Sequence, residues 1–61
     1  MAFSLAVDTS GKAFDDAGRA ELARILRAAA DAVEYTRDVE GGCRAADGEA
    51  AGMWRLIGIL A

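Results

Sequence analysis

Asp47-Gly48, set between two alternating runs, is the feature that most restricts what this chain can become. A two-residue hairpin loop of type I′ needs positive φ at both central positions, and Asp followed by Gly tolerates that well. The loop fixes a register over residues 39–56: Ala46 faces Glu49, Ala45 faces Ala50, Arg44 faces Ala51 and Cys43 faces Gly52. Further out, Gly42 faces Met53, Gly41 faces Trp54, Glu40 faces Arg55 and Val39 faces Leu56. Side chains alternate across a strand, so the two faces of the hairpin separate. One carries Val39, Gly41, Cys43, Ala45, Ala50, Gly52, Trp54 and Leu56, without a charge; the other carries Glu40, Gly42, Arg44, Ala46, Glu49, Ala51, Met53 and Arg55. A slip of one residue would exchange Trp54 with Arg55, which is why this register is well specified. Gly41 opposite Trp54 leaves room for the indole.

Everything upstream reads as cover for the apolar face of that hairpin. Phe3, Leu5 and Val7 alternate with Ala2, Ser4, Ala6 and Asp8, the period of a half-buried strand. Thr9-Ser10-Gly11-Lys12 interrupts it, and Phe14 then precedes Asp15-Asp16, as suits an apolar residue just outside a helix with an acidic first turn. Over residues 17–35 the apolar positions Leu22, Ile25, Leu26, Ala29 and Val33 fall at helical spacing and form one stripe. Arg24, Arg27, Asp31 and Glu34 make the opposite, solvated face, with Glu21–Arg24 and Arg27–Asp31 placed to pair.

The 61 residues therefore predict a single small α+β domain spanning the whole chain, a two-layer β-α-β-β fold with one helix on a three-stranded antiparallel-type sheet. The strand over residues 49–57 is the longest and most apolar, which places it in the middle, between the first strand and residues 41–46. The back of such a sheet shows Ala2, Ser4, Ala6, Arg44, Ala46, Ala51, Met53 and Arg55, small and apolar residues around two arginines. The last strand runs on into an apolar end, Ile57-Gly58-Ile59-Leu60-Ala61. Solvated sheet faces ordinarily carry long polar side chains. Two readings compete: a lightly decorated exposed sheet, and the favoured one, a contact surface for a second copy or another protein with Arg44, Ala51, Met53, Arg55, Ile57, Ile59 and Leu60 as its residues.

Composition narrows the chemistry. With one cysteine and no histidine there is no internal disulfide, no Cys/His metal cluster and no Ser-His or Cys-His nucleophile pair. Cys43, on the apolar face, reads as a small buried hydrophobe, with a reactive thiol as the lesser alternative. Asp15-Asp16, Asp31 with Glu34, and Asp38 with Glu40 are the only conceivable carboxylate pairs, and helix-end charge or solubility explains each. No EF-hand spacing or phosphate-binding loop occurs, so neither enzyme activity nor a cofactor is expected. The net charge of −3 argues against general nucleic-acid binding. A nucleic-acid mimic built on Asp31, Glu34, Asp38 and Glu40 is a further alternative, though five arginines interrupt that stripe. No apolar run reaches the length of a membrane span, no secretory leader is visible, and the free cysteine favours the cytoplasm.

The Ala/Arg-rich helix Glu21-Leu22-Ala23-Arg24-Ile25-Leu26-Arg27, followed by Arg44-Ala45-Ala46-Asp47-Gly48 and Gly52-Met53-Trp54, resembles small proteins encoded by bacteriophages and prophages of high-GC bacteria. The resemblance covers most of the chain and departs at residues 57–61. It implies a non-catalytic protein acting in the host cytoplasm by binding one host protein, for instance a defence component such as a CRISPR-Cas effector. A homo-oligomeric structural or accessory phage protein is the alternative that it also allows.

Overall fold

The computed structural model describes residues 1–58, so Ile59 and Leu60 of the expected contact surface lie outside the described residues. The elements follow the expected order: β1 (Ala2–Val7), a short 3-10 helix (Lys12–Phe14), α1 (Gly18–Tyr35), β2 (Glu40–Arg44) and β3 (Ala50–Ile57). The sheet has the order β1-β3-β2, and both pairings are antiparallel. β3 is thus the shared central strand, and α1 covers one face, bearing mainly on β2 and the 3-10 helix.

The register holds where the sequence is most apolar and fails near the turn. Glu40 faces Arg55, Gly41 faces Trp54, Gly42 faces Met53 and Cys43 faces Gly52, as the apolar pattern requires. A Cβ on Gly41 would come within 2.6 Å of the indole nitrogen, so this position has to be glycine. Nearer the loop, however, Arg44 faces Ala50 instead of Ala51. The turn is not a two-residue type I′ loop. Gly48 donates to Ala45 O at 2.9 Å, Ala45 donates to Glu49 O at 2.9 Å, and Gly48 sits at φ +87° while Asp47 keeps a negative φ. This is the three-residue loop with a left-handed glycine at its end. Asp47 helps select it, because its Oδ1 accepts the Glu49 N–H at 3.0 Å.

That longer loop displaces the pairing by one residue, and a bulge opposite Cys43 restores it. Ala51 is the extra residue of the bulge and turns into the core, 8% exposed, while Ala50 faces out. The two irregularities cancel, and Trp54 is returned to the inner face, 2% exposed. Ala51 is therefore removed from the expected contact surface.

The core consists of Phe14, Ile25, Ala29, Cys43, Ala45, Ala51 and Trp54, with Leu5, Val7, Leu22, Val33 and Leu56 packed around it. Phe3 stacks on the indole, ring centroids 6.1 Å apart, but remains half exposed. The buried stripe of α1 is rotated from the expected one. Glu21, Ile25 and Ala29 point inward, Leu22 and Val33 lie at the margins, and Leu26 is 44% exposed. β2 presents Gly41 and Cys43 on this face, and the helix turns the row of Glu21, Ile25 and Ala29 inward. Among the described residues no helix is long and apolar enough to cross a membrane.

Candidate interaction surface

The back of the sheet is organised in rows across the strands. Ala2 lies beside Ile57; Ser4, Arg55 and Glu40 form one row, and Ala6, Met53 and Gly42 the next. Met53 and Ile57 are 48% and 51% exposed. Their neighbours are too short to cover them, and a shallow depression forms between Ser4, Ala6, Met53, Arg55 and Ile57. Arg55 spans towards Glu40 at 3.6 Å, with both side chains more than half exposed, so the guanidinium is held only loosely. Met53, Arg55 and Ile57 are thus brought together on one open surface.

Arg44 is used differently. Its Nη1 donates to Gly48 O at 2.9 Å and so folds over the turn, while its own carbonyl accepts from Arg24 Nη2 at 2.9 Å. It closes the hairpin end instead of projecting as an anchor. The acidic series is not brought together either. Asp31 and Glu34 lie exposed on α1, on the helical side of the sheet, whereas Glu40 lies on the back against Arg55. Asp38 sits in the connecting loop, where its N–H meets Thr36 Oγ1. The sheet itself separates the members of the proposed mimic.

The charged group that matters most for the fold is Glu21, for which helical spacing alone predicts only a surface pair with Arg24. It is 8% exposed; its Oε1 accepts from Arg24 Nε at 2.6 Å, and its Oε2 from Arg24 Nη2 at 3.0 Å and from the Ala46 N–H. One carboxylate thus joins α1 to the hairpin turn. The hydrogen bonds from Arg24 hold the Glu21 carboxyl below the usual glutamate range, burial opposing them and the Ala46 N–H adding to them. The visible signal was spacing: Glu21, Ile25 and Ala29 share a row at i, i+4 and i+8.

A cleft between the loop after β1 and the hairpin turn is lined by Asp8, Lys12, Phe14, Asp47 and Glu49 among others. Two of its three carboxylates are engaged in local turns: Asp8 Oδ1 accepts the Ser10 N–H at 2.9 Å, and Asp47 Oδ1 accepts that of Glu49 at 3.0 Å. Among the described residues no group of three or more His, Cys, Asp or Glu is placed to hold a metal ion. Cys43 is buried, and burial pushes its thiol up from its ordinary value. A thiol so placed is a poor nucleophile at neutral pH. No family model, curated protein or solved structure matches this chain. Its function must be read from its own surface.

Proposed function

We propose that the chain is a non-catalytic protein-binding module that docks through the back of its sheet onto one host protein and blocks it by direct contact. The observation that supports this reading is the exposure of Met53 and Ile57 among Ala2, Ser4, Ala6 and Gly42, with Arg55 weakly engaged at their centre. Apolar side chains framed by small residues and a loosely held guanidinium are what interface cores are made from. The resemblance to phage proteins supports a component of host defence, such as a CRISPR-Cas effector, as the partner class.

Affinity capture from a defence-proficient host tests the docking face. The native chain is expected to retain one discrete protein, which Met53→Asp and Arg55→Glu lose and the helix variant Leu26→Asp keeps. Equal capture by all four chains would remove the sheet back as the interface. A defence assay tests the biological half: expression should raise phage plating on the proficient host, and no change there would argue against inhibition.

A further inference from the structure

The two outer strands leave different backbone groups free. Asp8 N–H donates to Ala51 O at 2.7 Å, and the β1–β3 register continues from that bond. In an antiparallel ladder, alternate residues turn their N–H and C=O to the neighbour and the others turn them away. Ala2, Ser4 and Ala6 therefore face β3, and Phe3, Leu5 and Val7 direct theirs outward. No residue of Ala2–Val7 is charged, and none is proline. Natural edge strands are ordinarily blunted by charge, proline or a bulge, and β1 has none of these.

We propose that β1 is a dimerisation edge, pairing antiparallel with β1 of a second copy about a two-fold axis at Leu5. In that register Leu5 meets the partner's Leu5 and Phe3 meets the partner's Val7, so the outward groups of each copy find one another. Other registers that match these groups leave one of the three residues without its counterpart. The occupant is a second copy because the strand is self-complementary: uncharged throughout, with a large ring at one end and a smaller Val at the other. Pairing also extends the apolar inner layer and covers Phe3, which α1 leaves half exposed. Leu26, one turn beyond the Leu22 that borders the loop after β1, stands on the same flank of the helix. A two-fold contact of this kind is closed, so it ends at the dimer. The sheet back stays open and doubles in width, and the inference does not depend on the proposed host partner.

Sedimentation and amide exchange test it together. The purified chain should approach twice its 6.3 kDa mass as concentration rises. The Phe3, Leu5 and Val7 amides should then exchange on the order of tenfold or more slower than in dilute solution, while the Gly42 amide stays fast. Leu5→Pro removes an outward N–H and should give a monomer of unchanged helix content. If that variant does not fold, exchange in the native chain decides. A monomer at every concentration would overturn the proposal. So would a dimer whose β1 amides remain fast, or one dispersed by Met53→Asp, which would move self-contact to the sheet back. Protection of the β1 amides only on adding a foreign extended peptide would assign the edge to another protein.

Discussion

β1 and β2 flank the same central strand, yet their free edges are finished in different ways. On β2 the outward-facing residues are Glu40, Gly42 and Arg44; the Arg44 carbonyl is taken by Arg24, and Glu21 holds that arginine while also binding the Ala46 N–H. On β1 the outward-facing residues are Phe3, Leu5 and Val7, without a charge along the strand. The contrast shows where the fold has used its polar groups. A buried acid and an arginine engage the Arg44 carbonyl and the Ala46 N–H at the turn end of the β2 edge, and among the described residues nothing comparable reaches the β1 edge. An edge closed by side chains from its own chain is finished; an edge lined by apolar residues invites a further strand.

The largest way to break the comparison is to remove the strand that both edges share. Trp54→Ala should cost about 3–5 kcal/mol, comparable with the whole stability of so small a domain, and leave no cooperative unfolding transition. A near-native melting temperature would show that the indole does not hold the layers together. Next comes Glu21→Ala, which deprives the Ala46 N–H of its acceptor and releases Arg24, making the β2 edge resemble that of β1. It should lower the melting temperature less than Trp54→Ala does and increase light scattering. Unchanged values for both would mean the cluster does not finish that edge.

Acid should act on the same contrast more gradually. Glu21 is held below its usual value of 4.5, so its contribution is fully present above that pH and is lost as pH falls through the lower folded value. Asp8, lowered by its hydrogen bonds to Ser10, adds in the same direction. Urea denaturation from pH 7 downward should show stability falling below about pH 4.5, with a shallower fall in Glu21→Gln. Equal slopes for the two chains would detach Glu21 from the acid response. The smallest effects belong to the sheet back. Met53→Asp and Arg55→Glu should each change stability by no more than about 0.5 kcal/mol, since both side chains are about half exposed and the Arg55 pair is loose. A large loss of stability in either would place those side chains in the fold and not on its surface.

The order of elements, the central place of the last strand and the inward turn of Trp54 are legible in the amino-acid pattern alone. Each follows from periodicity, which is a local property: alternation over residues 2–8 and 39–56, and helical spacing between them. It also assembled Met53, Arg55 and Ile57 on one face, because their parity with Trp54 survives any compensated irregularity. The loop length, the bulge that carries Ala51 inward and the rotation that buries Glu21 while exposing Leu26 come from the packed fold. Those depend on how α1 seats against a glycine-containing strand, and on whether a carboxylate finds a donor 25 positions away along the chain. Short-range patterns carry no record of such distances, so a charged residue at helical spacing reads as surface until the partner that satisfies it is in view.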